Sequence, residues 1–178
     1  ILRLIYRNAD RLLKLVNQLL DFRKIDVQGD TLVLSTGDIV PFVRDVAYSF
    51  KELSEQKHIR FSFSSVFTSL PMRFDTDKVF KIVSNLLSNA FKFTPEGGMI
   101  TVTLSLLPDK EGRNKLLIEV SDSGIGIPAD KQEAIFDRFY QVSSSDKGNP
   151  VMGTGIGLHL CREFVRMHQG SIAIKSQP

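Results

Sequence analysis

Apolar residues near the start of the chain fall at Leu2, Ile5, Ala9, Leu12, Val16 and Leu19. The intervals alternate three and four, a heptad seam, so residues 1 to about 26 read as one helix. Leu13 and Leu20 widen the stripe, which suits a four-helix bundle better than a two-stranded seam. Arg7, Arg11 and Lys14 mark a charged opposite face, which favours packing between chains over packing on the chain's own domain. The pattern stops near Gly29.

From Thr31 the texture changes. Thr31 to Ser35 is strand-like, and Ile39 to Lys57 has helical spacing through Val43, Val46, Ala47, Phe50 and Leu53. Ile59 to Phe63 alternates, as does Met72 to Phe74. Asp75 is a candidate N-cap for a helix from Thr76 to Lys92. Two alternating runs, Ile100 to Leu107 and Leu116 to Val120, are joined like a hairpin by Pro108 to Asn114. A glycine loop, a short helix near Lys131 to Phe136, a helix from Gly155 to His168 and a last strand Ser171 to Lys175 complete the expectation. Gln141 to Met152 is the one long loop, a length typical of lids. The elements predict one mixed sheet with helices on one face.

Composition narrows the classes. The 178 residues carry 23 basic and 20 acidic side chains, a net charge of +3, too balanced for a nucleic-acid face. The single cysteine, Cys161, allows no disulfide within the chain. No apolar run approaches the roughly 20 residues of a membrane span, so this segment is expected to make no membrane contact.

The chemistry concentrates on the helix from Thr76. Val79, Ile82, Val83, Leu86, Leu87 and Ala90 form its core face, and Asn85, Asn89 and Lys92 form a second row at i, i+4 and i+7. Amide oxygens suit Mg²⁺ and a lysine suits phosphate, though spacing alone leaves open an ordinary solvated face. Asp122-Ser123-Gly124-Ile125-Gly126-Ile127 follows a strand; its glycines permit a tight turn or a close ligand, and its Asp a hydrogen bond to an amino group. Gly153-Thr154-Gly155-Ile156-Gly157-Leu158 opens a helix, where free N–H groups favour phosphate.

The string Asn85 to Thr94 resembles the N box of sensor histidine kinases, and the two glycine loops resemble that family's first and second glycine boxes. Ile135-Phe136-Asp137-Arg138-Phe139-Tyr140-Gln141 resembles its F box. His168-Gln169-Gly170-Ser171-Ile172 resembles its His-Gly-Gly turn, with Gln169 in place of the first glycine. Leu19 to Asp26 resembles the end of the second helix of the dimerisation and phosphoacceptor domain. The F-box and Phe91-Lys92-Phe93 style resembles hybrid two-component sensors.

The resemblance implies an α+β two-layer sandwich of the Bergerat ATPase type, residues 31–178, preceded by a bundle helix, residues 1–28. It implies ATP and Mg²⁺ as cofactors, with Asn85 and Asn89 at the metal and Lys92 on phosphate. Phe93, Asp122, Gly124, Gly126 and Ile127 would lie at the adenine side, Asp122 accepting from the adenine amino group. Gly153, Thr154, Gly155, Gly157 and Leu158 would form the lid end, with nucleotide between helix and lid, and Arg138 would reach the γ-phosphate. The activity implied is phosphoryl transfer to a histidine, then to the receiver domain of a response regulator. The setting implied is a homodimer joined through the first helix, in the cytoplasmic part of a membrane-anchored sensor. None of His58, His159 and His168 has an acceptor's setting, so the acceptor is expected outside this chain, which alone would not autophosphorylate. The chain also ends where the family usually adds a further strand. ATP-hydrolysing relatives of the fold carry Glu where this chain has Asn85, and an amide cannot serve as that base. Hydrolysis and a degenerate binding module are the alternatives.

Overall fold

The computed structural model describes residues 2–29, 31–108, 112, 114–141 and 154–177. Gly153, nearly all of the expected lid, and the side chains of Arg7, Arg11 and Lys14 lie outside the described residues. The chain divides into two compact units: Val33–Ile127 with Gln177–Pro178, and Ile1–Leu32 with Pro128–Ser176.

In the first unit, β1 (Ser35–Asp38) leads into α2 (Ile39–Tyr48) and α3 (Lys51–Gln56). Then come β2 (Arg60–Ser65), β3 (Pro71–Phe74), α4 (Thr76–Phe93), β4 (Met99–Pro108) and β5 (Asn114–Asp122). β2 pairs parallel with β4, and β4 antiparallel with β5, giving a mixed three-stranded sheet. β1 and β3 pair separately, antiparallel. Alternate residues of β4, Ile100, Val102 and Leu104, are fully buried in one core with Val43 of α2 and Val83, Leu87 and Phe91 of α4. Each such side chain contributes roughly 1.5–3 kcal/mol by leaving water.

Local chemistry sets the helix ends. Asp38 caps α2 by accepting the Val40 N–H, and Asp75 caps α4 by accepting the Lys78 N–H. Asp75 is itself buried, paired with the buried Lys78 ammonium at 3.2 Å, and accepts the N–H of Val33.

In the second unit, α1 (Leu2–Gln28) leaves Ile5, Leu12, Val16 and Leu19 exposed. Two 3-10 turns, Ala129–Lys131 and Ala134–Phe136, precede α5 (Gly157–Met167). Among the described residues no helix is long and apolar enough to cross a membrane.

Several expectations are corrected. The first strand lies at Ser35–Asp38, displaced from Thr31–Ser35, because its register is set by β3 and by Asp38 binding the Leu70 N–H. The Ile39–Lys57 helix breaks at Ser49, whose hydroxyl donates to Val46 O, and Phe50 turns to stack on Phe91 with centroids 5.6 Å apart. The expected mixed sheet is present as β2, β4 and β5, but among the described residues β1 and β3 form a second sheet of their own. The helix near 131–136 is a pair of 3-10 turns, and the last helix begins at Gly157 rather than Gly155. Ser171–Lys175 alternates in burial but pairs with no strand among the described residues.

Candidate functional site

α4 carries the row read from the sequence. Val79, Ile82, Val83, Leu87, Ala90 and Phe91 are buried, and Asn85, Asn89 and Lys92 are half-buried beside them. The sequence favours this helix at both ends, with Asp77 in the first turn and Lys92 in the last complementing its dipole. The Lys92 ammonium lies 4.8 Å from the centre of the Phe93 ring.

β5 ends at Asp122, and there the chain turns. Asp122 Oδ1 accepts the Gly124 N–H at 2.9 Å, closing an Asx turn. A Cβ on Gly124 would stand 2.6 Å from that carboxylate oxygen and 2.8 Å from the carbonyl oxygen of Phe93. Only glycine lets the loop rest directly on the end of α4. Gly126 takes a left-handed φ of 70°, Ile125 is exposed and Ile127 half-buried. The structure thus brings Asp122, Gly124 and Phe93 together on one unit. Beside them, the buried Thr94 hydroxyl has no hydrogen-bond partner among the described residues.

The second unit holds the other predicted residues. The Thr154 hydroxyl donates to Gln18 Oε1 and accepts the Ile156 N–H. Gly155 has a left-handed φ of 68°, and a Cβ there would lie 2.5 Å from the Phe139 carbonyl carbon. α5 starts at Gly157 with no side-chain cap, so its first N–H groups carry the partial positive charge of a helix start. Leu158 is half-buried. Arg138 is exposed, its guanidinium carbon 4.9 Å from the Phe22 ring centre. Phe22 also meets the rings of Phe139 and His159 at 6.1 and 6.0 Å.

Burial pushes His159 below its ordinary pKa, a shift opposed by the Phe136 carbonyl and deepened by Arg138. Burial likewise pushes the Cys161 thiol up to about 12, so it is an inert core residue. Among the described residues no trio of His, Cys, Asp and Glu gathers as a metal site.

Sequence reasoning missed Lys57, which donates to Phe91 O at 2.6 Å from 34 positions away. It also missed the left-handed backbone of Phe139 (φ 62°). Pro95, which leaves the Phe91 carbonyl without a helical donor, was the one available signal for the first.

With this geometry in place, comparison assigns the class. Residues 74–178 match the family model of histidine kinase-, DNA gyrase B- and HSP90-like ATPases, and the chain belongs to that family. It is 40% identical over 174 residues to the sensor histidine kinase TmoS of Ectopseudomonas mendocina, covering 98% of this chain and 17% of that protein. It is 39% identical over 176 residues to the hybrid signal transduction histidine kinase D of Dictyostelium discoideum, covering 97% of this chain and 11% of that protein. Among solved structures, full-length ShkA in complex with AMPPNP superposes with a TM-score of 0.77 at 26% identity, covering 96% of this chain and 35% of that one. The mixed sheet with its helices is therefore that of histidine kinase catalytic domains. The chain spans 17% and 11% of the two curated relatives' lengths.

Proposed function

We propose that this chain is the nucleotide-binding catalytic part of a sensor histidine kinase. It would hold Mg-ATP for γ-phosphoryl transfer to a histidine on a dimerisation domain, and thence to a receiver-domain aspartate. Residues 31–178 are read as the catalytic domain and 1–28 as one helix of the dimerising bundle, in the cytoplasmic part of a membrane-anchored sensor of the hybrid type. The observation that carries the reading is α4: a half-buried Asn85, Asn89 and Lys92 row whose end is met by the Asp122–Gly124 turn.

The residues fit the group. Two amide oxygens about one helical turn apart are hard donors for Mg²⁺, and Lys92 supplies an ammonium one turn on. Mg²⁺, when bound, neutralises phosphate charge. Asp122 accepts from the adenine amino group, and Phe93 borders the base. Gly124, with no room for a Cβ, keeps the Asp122 turn against α4. The second glycine run, Gly153 included, offers N–H groups to phosphate, and Arg138 a planar guanidinium to the γ-phosphate. An amide at Asn85 leaves α4 without the carboxylate base that hydrolases of the fold use, which favours transfer over hydrolysis.

The test joins binding to chemistry. Mg-ADP at 100 times its Kd should stabilise the chain by about 2.7 kcal/mol, read as a rise in melting temperature. Asn89→Ala and Asp122→Asn should each remove the rise. A longer form that includes the acceptor should gain acid-labile, alkali-stable phosphate from ATP. Free phosphate released without phosphohistidine would overturn the kinase reading.

A further inference from the structure

The carbonyls at the end of a helix lack the N–H donors that a further turn would bring. In α4 the Thr94 N–H serves Ala90 O at 2.9 Å. The next donor in the series would belong to residue 95, which is proline and has no N–H. The carbonyl left over is that of Phe91, and the Lys57 ammonium donates to it at 2.6 Å. Lys57 is the half-buried C-cap of α3, so the donor comes from another element of the same unit.

The residues after Lys57 hold the rest of the same turn. His58 takes a left-handed φ of 52°, and its carbonyl accepts the Gly97 N–H at 3.2 Å. The Arg60 N–H donates to Gly98 O at 2.9 Å. Residues 57–60 therefore bracket the exit of α4 from Phe91 to Gly98. The same exit carries Lys92 and Phe93, and the Phe93 carbonyl is where the Asp122–Gly124 turn rests.

We propose that Lys57 is a positioning residue for nucleotide binding. Its ammonium takes the place of the N–H that Pro95 lacks, and so fixes the last turn of α4, which presents Lys92 and Phe93 to the ligand. A charged donor suits the task, because charge-assisted bonds are stronger than neutral ones and a cation is favoured at a helix C-terminus. The inference rests on the reading of α4 as a nucleotide wall.

The test uses the whole chain, with Mg-ADP as the probe, titrated by calorimetry well below the melting temperature. Lys57→Met keeps the aliphatic stem and removes the donor; it should weaken Mg-ADP binding about tenfold, the scale of one charged hydrogen bond. Lys57→Arg, which keeps charge and donors, should stay within about threefold of the parent. A Lys57→Met chain with a lowered melting temperature but parental affinity overturns the proposal, since Lys57 would then be a stability cap alone. If that variant does not fold, Lys57→Gln is read by the same criterion. If the parent binds Mg-ADP and Asn89→Ala loses it while the Lys57 variants do not, the positioning role fails and the nucleotide site stands. A parent chain that binds no Mg-ADP overturns both.

Discussion

The two glycine loops look alike in sequence and are held by different physics. At Gly124 the demand is for space: a carboxylate oxygen and a helix-end carbonyl stand where a side chain would begin, and the core of the first unit lies behind them. At Gly155 the demand is for both space and a left-handed backbone, and the neighbour that crowds it, Phe139, is itself left-handed and 60% exposed. The first loop is thus set against a packed wall. The second is set against a strained, solvent-facing residue, of the kind that stores local strain at functional sites.

Phenylalanine substitutions probe that contrast most strongly. Phe91 is fully buried, stacked on Phe50 and touching Phe61 at 5.4 Å, so Phe91→Ala should destabilise the chain by about 3–5 kcal/mol in urea titration. Phe139→Ala loses a single ring contact among the described residues, that with Phe22, and should cost less than about 1.5 kcal/mol. Equal losses would mean that the second loop rests on packing as firm as the first. The glycines come next. Gly124→Ala should cost about 1–3 kcal/mol through crowding. Gly155→Ala should cost about 1–2 kcal/mol more, because its φ of 68° adds the left-handed penalty. The reverse ranking would remove strain as the distinction between the loops.

This contrast also marks what the sequence could reveal. Asp75 as a cap, the core stripe of α4 and the alternation of β4 were legible because each is a local pattern with its own period. Asn85, Asn89 and Lys92 were legible as a row for the same reason. The break at Ser49 was not, since the reason to turn there is the stacking of Phe50 on the Phe91 ring, 41 positions after Phe50. Nor was β1, whose register belongs to β3, nor the grip of Lys57 on Phe91 O. The left-handed Phe139 runs against local propensity, and its N–H donates to the Gly155 carbonyl at 3.0 Å, a partner 16 positions away. Long-range partners and local strain leave no periodic trace.

Acid should separate the two units. Burial holds the folded pKa of His159 below its ordinary 6.5, so the unfolded chain binds that proton more readily. Its contribution is complete above pH 6.5 and is lost as the pH falls below it, through the folded value. Asp75 behaves differently. Burial alone would raise its pKa, but the N–H groups of Lys78 and Val33 and the Lys78 ammonium outweigh this and hold the carboxyl below 3.8. Its contribution is complete above 3.8 and is lost only as the pH falls through the folded value. Amide exchange, corrected for intrinsic rates, should therefore quicken around α5 in mild acid while α4 stays protected to lower pH. A His159→Gln chain should lose the milder step. Simultaneous loosening of both units would break the contrast.

The smallest effect concerns the end of α5. Gln169 N–H donates to Arg166 O and Gly170 N–H to Val165 O, both at 2.9 Å, which is a Schellman cap with Gln169 at its left-handed position (φ 59°). The turn therefore forms with Gln169 in place of the first glycine of the His-Gly-Gly pattern, a residue that L-chirality disfavours there by about 1–2 kcal/mol. Glycine would relieve that cost but loses about 0.5–1 kcal/mol more entropy on folding. Gln169→Gly should thus stabilise the chain by roughly 0.5–1 kcal/mol, a rise of about 1–4 °C in melting temperature. His58→Gly is the matching change in the other unit, at a φ of 52°. If strain in the second unit were an artefact of exposed sequence rather than a property of its turns, Gln169→Gly would leave the melting temperature unmoved, while His58→Gly, inside the hydrogen-bonded bracket at the exit of α4, would still raise it.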